Sequence, residues 1–165
     1  MICFSLGSNS GDRFAYLRSA VDRLIKAFGR PASVSSVYET EPWGVKGHNN
    51  YLNAVICFET EMTARNIHKR IAVIENIFGR VRMPGKIHPR TIDIDILFYN
   101  DEIIHTPTLT IPHPRLHLRK FVLMPLSEIL NDFIHPETGI SVREMLEKCE
   151  DKCCVVKTDF NLFLH

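Results

Sequence analysis

Apolar residues along this chain recur with two different periods, which predict where helices and strands lie. Residues 14–28 and 67–78 place apolar side chains at helical spacing on one face. Asp12 and Thr63 stand just before these stretches as candidate N-caps, and a glycine follows each stretch as a stop signal. The pattern therefore predicts two amphipathic helices.

Shorter apolar runs bounded by turn residues predict strands. There are four of them, at residues 2–6, 34–38, 51–59 and 92–99. With the helices they give the order strand, helix, strand, strand, helix, strand, which is the split βαβ pattern. We therefore predict an α+β fold, a ferredoxin-like antiparallel sheet with helices packed against it. Helical pieces near 122–130 and 141–149 are expected to close a single domain over residues 1–165, as part of a C-terminal extension.

Composition agrees with one compact soluble domain. The chain has 165 residues, of which 45% are apolar and 24% charged, enough to bury a core. With 20 basic and 19 acidic residues the net charge is +1, so no overall field favours nucleic acid or a membrane as partner. No apolar run approaches the roughly 18 residues of a membrane span. Functional charge must therefore be local.

The chain has five cysteines, an odd number, and its first residues lack the pattern of a secretory signal peptide. Both features favour a reducing cytoplasm and free thiols. Cys149, Cys153 and Cys154 allow a partial zinc site as an alternative, but a fourth ligand at suitable spacing is missing.

The stretch of residues 89–98, PRTIDIDILF, carries the clearest chemical pattern. Because side chains of a strand alternate between faces, Asp93 and Asp95 share one face, roughly 6.5–7 Å apart. The apolar residues expected on the other face are Ile92, Ile94, Ile96 and Phe98. Two carboxylates at that spacing suit a hard cation, so we predict magnesium binding. The alternative is a pair of solvent-facing aspartates on an open sheet face.

Basic residues cluster on both sides of the aspartate strand in sequence. They are Arg80, Arg82, Arg90, Arg115 and Arg119, with His113 and His117 among them. Guanidinium groups donate in a planar fork that matches phosphate oxygens. Together with the aspartates they indicate a polyphosphate site, although the chain has neither G-x-x-x-x-G-K-[ST] nor G-x-G-x-x-G. The alternative is a solvated basic loop.

Several motifs in this chain together resemble the hydroxymethyldihydropterin pyrophosphokinase family. They are SLGSN at 5–9, YETEPWG at 38–44, YLNAV at 51–55, Glu75 with GRVR at 79–82, PRTIDID at 89–95, and IPHPR at 111–115 through RKFVL at 119–123. They follow family order over roughly residues 2–136. The resemblance implies a ferredoxin-like fold and transfer of pyrophosphate from ATP to 6-hydroxymethyl-7,8-dihydropterin, giving AMP and the pterin diphosphate in folate biosynthesis.

The resemblance also implies roles on the nucleotide side of the site. Asp93 and Asp95 match ligands of two magnesium ions that bridge the ATP phosphates, and Arg80 and Arg90 match arginines of a loop that closes over the reacting centre. The residues implied for ATP binding are Arg82, His113, Arg119 and Glu75, the last of which is equally well read as a surface glutamate.

On the pterin side, Tyr51 and Phe121 match an aromatic pair that sandwiches the ring. Asn53, with backbone around Thr40 and Trp43, matches its hydrogen-bonding edge. Without the resemblance, ordinary core packing would explain both aromatic residues. The loop at 83–88 has no tryptophan where many family members carry one.

The partners implied are therefore two small molecules, ATP and the pterin, bound by a monomer. Two other classes remain open from the residues alone. One is an RNA-binding module built on a ferredoxin-like sheet, and the other is a two-metal phosphohydrolase.

Overall fold

The structure, a computed structural model, describes residues 1–42, 49–79 and 91–163. Its centre is a six-stranded antiparallel sheet. The strands are β1 Ile2–Ser8, β2 Ser33–Val34, β3 Tyr38–Thr40, β4 Tyr51–Phe58, β5 Asp93–Tyr99 and β8 Val155–Lys157. They lie in the order β5-β1-β4-β3-β8, with β2 also paired to β4. A separate hairpin joins β6 Ile104–His105 to β7 Thr110–Ile111.

Helices cover both faces of this sheet. The helices are α1 Arg13–Phe28, α2 Ala64–Ile77, α3 Lys120–Leu130 and α4 Val142–Lys148. One apolar core joins α1 and α2 to one face, and a second core joins α3 and α4 to the other. Asp12 and Thr63 cap α1 and α2 as predicted, since their side chains accept from the backbone N–H groups of Ala15 and Asn66. The predicted α+β class with an antiparallel sheet is confirmed, whereas the ferredoxin-like topology stays a prediction.

The predicted strand at 34–38 is in fact two short strands, β2 and β3, which both pair with β4. Between them the Ser35 N–H still donates to the carbonyl of Val55, but serine side chains take over the other hydrogen bonds. Ser35 Oγ accepts from the N–H of Val55, and the N–H and Oγ of Ser36 both donate to Glu128 on α3. Hydroxyl groups that compete in this way interrupt regular pairing.

A bulge in β5 corrects the predicted faces of the aspartate strand. Phe4 lies opposite Ile96 and Cys3 opposite Phe98, so Leu97 is an extra residue. As a result Ile92, Ile94 and Ile96 enter the first core together, whereas Phe98 enters the second. The prediction that Phe98 shares their face was therefore wrong.

Two of the five cysteines form a disulfide, which contradicts the expectation of free thiols for them. Cys3 and Cys57 are direct neighbours across β1 and β4, with a Cα–Cα distance of 4.2 Å. Cys149, Cys153 and Cys154 are free. Across the described parts of the chain, none of the helices has the length and apolar character to cross a membrane.

The last strand, β8, was not predicted from the sequence. It pairs with β3, and beyond it Leu162 is buried in the first core. Glu128 of α3 links the segment before β3, β3 itself and β8. Its carboxylate accepts hydrogen bonds from Ser36, from Tyr38 Oη at 3.1 Å and from Lys157 Nζ at 3.0 Å. Burial opposes ionisation of Glu128, but these hydrogen bonds outweigh it and lower the pKa of the carboxyl.

Glu128→Gln is expected to lower the free energy of unfolding by about 1–2 kcal/mol near pH 7. The pKa of Glu128 is lower in the folded protein than the ordinary value of 4.5, so its stabilisation is present above that value and is lost as pH falls through the folded pKa. The difference between wild type and variant should therefore shrink as the pH is lowered below 4.5. Denaturant unfolding at several pH values measures it, with the exposed Glu147→Gln as control. A difference that does not depend on pH would contradict this role for the charge.

Candidate functional site

The two aspartates of β5 lie half-buried on the sheet face that α3 and α4 cover. Asp93 is opposite Gly7 and Asp95 is opposite Ser5, on the same side of β1 as Cys3. This sheet face is therefore only partly open at the aspartates, since helices cover the rest of it. Asp95 Oδ2 lies 3.7 Å from His113 Nε2 and 3.8 Å from an Arg119 nitrogen. Three predicted site residues thus converge.

His113 is held in one orientation by its backbone and ring. Its N–H donates to the carbonyl of Leu97 at the bulge, and its Nδ1 accepts from the N–H of Arg115 at 3.1 Å. Since Nδ1 is an acceptor, the proton of the neutral ring is on Nε2, the nitrogen that faces Asp95.

Burial lowers the pKa of His113 to about 4, and the positive charge of Arg119 adds to this shift. The imidazole is therefore neutral near pH 7, and its contact with Asp95 is not an ion pair there. The positive charge beside Asp95 comes from Arg119, whose side chain is only 18% exposed. The cluster offers one fixed cation and one neutral N–H donor.

Glu75 is buried, at 2% exposure, so the alternative of a surface glutamate is wrong. Its Oε1 accepts from the N–H of Ile94 at 2.9 Å. A cavity of about 330 Å³ contains Glu75, Asp95 and His113 and extends along α2 and the 106–110 segment. It is large enough to take part of a small ligand.

A second group of predicted residues meets at the ends of β3 and β4. Asn53 Nδ2 donates to Thr40 Oγ1 at 2.8 Å, and both residues are buried at 2% exposure. Tyr51 lies opposite Thr40 in the ladder and is half-buried. This places an amide, a hydroxyl and an aromatic ring side by side.

Gly7 joins the two groups and was not singled out as a site residue from the sequence. It lies between Asn53 on β4 and Asp93 on β5. A Cβ at this position would be 3.1 Å from Asn53 Oδ1 and 3.9 Å from Tyr51 Cδ1. A larger residue at this position would therefore crowd the Asn53 amide. The strand predicted from the sequence ended at residue 6, one residue before Gly7.

Phe121 belongs to the first turn of α3, next to the aspartate cluster. It is half-buried against the second core, and the Arg119 guanidinium lies 5.6 Å from its ring centroid. The remaining predicted residues, Arg80, Arg82, Arg90 and Trp43, lie outside the described residues.

The donor set fits magnesium only when further oxygen ligands arrive with a substrate. Among residues 1–42, 49–79 and 91–163, no three or more His, Cys, Asp or Glu side chains are grouped to hold a metal ion. Asp93 and Asp95 supply two carboxylates, and proteins commonly bind Mg²⁺ through one or two carboxylates plus substrate phosphates. Hard oxygen donors beside Arg119 therefore suit a metal–polyphosphate complex.

Comparison with known proteins matches most of the chain to one family. The family model described as 7,8-dihydro-6-hydroxymethylpterin-pyrophosphokinase (HPPK) matches residues 3–132. A protein of Aquifex aeolicus named 2-amino-4-hydroxy-6-hydroxymethyldihydropteridine pyrophosphokinase is 37% identical over 158 residues, covering 94% of this chain and 98% of the relative. The Bacillus subtilis protein of the same name is 44% identical over 126 residues, covering 76% and 75%.

Other matches are longer proteins. The Schizosaccharomyces pombe folic acid synthesis protein fol1 is 41% identical over 145 residues, which are 87% of this chain but 20% of that protein. The crystal structure of Plasmodium falciparum HPPK-DHPS with pteroate superposes with a TM-score of 0.72 at 15% identity, covering 89% of this chain and 42% of that one. At that identity the superposition shows a shared fold.

Proposed function

Because this chain belongs to the 7,8-dihydro-6-hydroxymethylpterin pyrophosphokinase family, we propose that it transfers the pyrophosphoryl group of ATP to 6-hydroxymethyl-7,8-dihydropterin. The products are AMP and the pterin diphosphate, a step of folate biosynthesis. The observation that carries the proposal is the convergence of Asp95, His113 and Arg119 beside Asp93. A fixed cation, an N–H donor and two carboxylates are what a metal-bound polyphosphate requires.

On the nucleotide side, Asp93 and Asp95 would hold two Mg²⁺ ions between them and the phosphates of ATP. Bound there, the metal supplies neutralisation of phosphate charge. Arg119 and the Nε2–H of His113 contact phosphate oxygens, and the nucleoside extends into the cavity that contains Glu75. By the family resemblance we assign Arg82 to the ATP phosphates and Arg80 and Arg90 to the reacting centre; all three lie outside the described residues.

On the pterin side, Tyr51 and Phe121 stack against the two faces of the ring, since aromatic faces gain from offset stacking. Asn53 reads the donor and acceptor edge of the heterocycle with its amide. Its orientation is set by the hydrogen bond from Nδ2 to Thr40 Oγ1, which leaves Oδ1 as an acceptor. Backbone around Thr40 and Trp43 completes that edge.

The chemical step is an in-line displacement. The hydroxymethyl oxygen attacks the β-phosphorus, and the bond between that phosphorus and the oxygen bridging to the α-phosphorus breaks. AMP leaves with this oxygen, and the hydroxyl proton is released to solvent. The protein contributes position and charge neutralisation, and no covalent intermediate with a side chain is needed.

We further propose that residues 1–165 form one domain that acts as a monomer in the cytoplasm, with ATP and the pterin as partners and neither nucleic acid nor a membrane. With a net charge of +1, no overall field favours nucleic acid or a membrane as partner. In a reducing compartment the Cys3–Cys57 bond is protected by its position, because both residues are 0% exposed.

Incubation with ATP and Mg²⁺, with and without the pterin, tests this function against the two alternatives. The proposal predicts that ATP is consumed only when the pterin is present, and that chelation of Mg²⁺ stops consumption. ATP loss without pterin would indicate the phosphohydrolase. Absence of turnover together with RNA binding would indicate the RNA-binding module.

Gly7→Ala is expected to weaken pterin binding about tenfold, which corresponds to about 1.4 kcal/mol. The added Cβ would stand 3.1 Å from Asn53 Oδ1 and must displace the amide that reads the pterin edge. Calorimetry with each ligand measures the effect, and affinity for a non-hydrolysable MgATP analogue should change less than about twofold. Unchanged pterin affinity would show that Asn53 does not read this ligand.

A further inference from the structure

A buried glutamate connects α2 to the backbone between the two aspartates. Glu75 Oε1 accepts from the N–H of Ile94, the residue that separates Asp93 from Asp95. Within the part of the sheet that the structure describes, β5 pairs only with β1, so its other side is an edge. An edge strand presents backbone N–H groups that need partners, and Glu75 supplies one for Ile94.

A second bond fixes the same strand to the same helix end. Thr91 Oγ1 donates to the carbonyl of Phe78, directly after α2, at 2.8 Å. The start of β5 is therefore held at two points, about one helical turn apart along α2. Between them the backbone of the aspartate strand has little freedom to shift.

Glu75 is a charged residue type at a buried position of α2. The neighbouring buried residues of α2, Ile67, Ile71 and Ile74, are apolar, and an apolar residue would be the cheapest choice at this site too. Burial of a carboxylate costs free energy unless hydrogen bonds compensate, and the bond to the Ile94 N–H is one such compensation. The hydrogen bond to the Ile94 N–H therefore gives a reason for a glutamate at this position.

We propose that Glu75 is a positioning residue, whose carboxylate oxygen fixes the Ile94 amide and thereby the spacing and direction of Asp93 and Asp95. This refines its assignment to the ATP side of the site and rests on the proposed function. The role requires a hydrogen-bond acceptor at Oε1 but not a negative charge. That distinction separates positioning from direct ligation of a metal.

Two variants of Glu75 distinguish positioning from direct ligation of a metal. Glu75→Gln keeps an oxygen acceptor of the same reach, and Glu75→Leu removes it while filling similar volume. The leucine variant should need about tenfold more Mg²⁺ for half-maximal turnover and lose kcat, as seen when groups that orient metal ligands are removed. The glutamine variant should lose clearly less Mg²⁺ affinity and kcat than the leucine variant, because it keeps the acceptor for the Ile94 N–H. Asn76→Ala, an exposed change in the same turn, serves as the control.

A measurement without metal or turnover completes the test. Hydrogen exchange of the Ile94 amide, followed by NMR in the metal-free protein, should be faster in the leucine variant and unchanged in the glutamine variant. The proposal is overturned if glutamine is as damaging as leucine, or if Ile94 exchange is the same in all variants. Should the leucine variant not fold, the glutamine variant decides alone: Ile94 exchange as slow as in wild type supports positioning, and faster exchange overturns it.

The exchange result does not depend on the reaction catalysed. A wild-type protein without pterin-dependent turnover would contradict the proposed function. In that case Ile94 exchange and Mg²⁺-dependent binding of a non-hydrolysable ATP analogue would still test the role of Glu75.

Discussion

Asp95→Asn is expected to lower kcat by a factor of about 10²–10³, or about 3–4 kcal/mol of transition-state stabilisation. The amide keeps the size of the side chain but removes an ionised oxygen, which weakens both metal ligation and the pairing with Arg119 at 3.8 Å. Because Asp95 is 36% exposed, the fold should tolerate the change.

Steady-state kinetics and thermal unfolding by circular dichroism measure both effects. Asp101→Asn, in an exposed turn after β5, is the matched control and should behave as wild type. A folded Asp95→Asn protein with normal turnover would remove this carboxylate from the site.

Phe121→Ala is expected to weaken pterin binding by about 1–3 kcal/mol while affinity for the MgATP analogue stays close to that of wild type. Only the heterocycle loses a stacking face. Since Phe121 also packs on the second core, some loss of stability is expected and is followed by thermal unfolding.

Calorimetry with each ligand separates the two affinities. Phe163→Ala, which removes a ring that is 47% exposed near the end of the described chain, controls for loss of an aromatic side chain. Equal losses for pterin and nucleotide would mean that Phe121 serves the core alone.

The sequence predicted those features that depend on residues only a few positions apart in the chain. The caps of α1 and α2 depend on a side chain and a backbone N–H three residues later, so Asp12 and Thr63 were readable from sequence. The alternation of Asp93 and Asp95 likewise predicted that both share one sheet face, and both lie opposite residues on the same side of β1.

The elements that escaped prediction depend on partners far along the chain. The break between β2 and β3 requires Glu128, 92 residues after Ser36, and β8 forms only because β3 offers an edge. The bulge at Leu97 and the Cys3–Cys57 bond follow from strand register, which the apolar pattern does not specify to one residue.

For the candidate site too, the sequence predicted residues, whereas their contacts were visible only in the structure. Residue types and motifs predicted Asp95, His113 and Arg119, but only the tertiary structure shows that they meet. Glu75 could be read equally as buried or exposed because it ends an amphipathic helix, and its bond to Ile94 crosses between elements. Gly7 lay beyond the strand predicted at residues 2–6, so its approach to Asn53 is visible only in the structure.

Which phosphorus is attacked is the central claim, and label transfer from ATP tests it most directly. With ATP labelled at the β-phosphorus, Mg²⁺ and 6-hydroxymethyl-7,8-dihydropterin, the label should move to the pterin, and unlabelled AMP should form one for one with pterin diphosphate. A label that remains in the nucleotide as ADP would mean transfer of the γ-phosphoryl group. That result would contradict the pyrophosphokinase mechanism even with the site geometry unchanged.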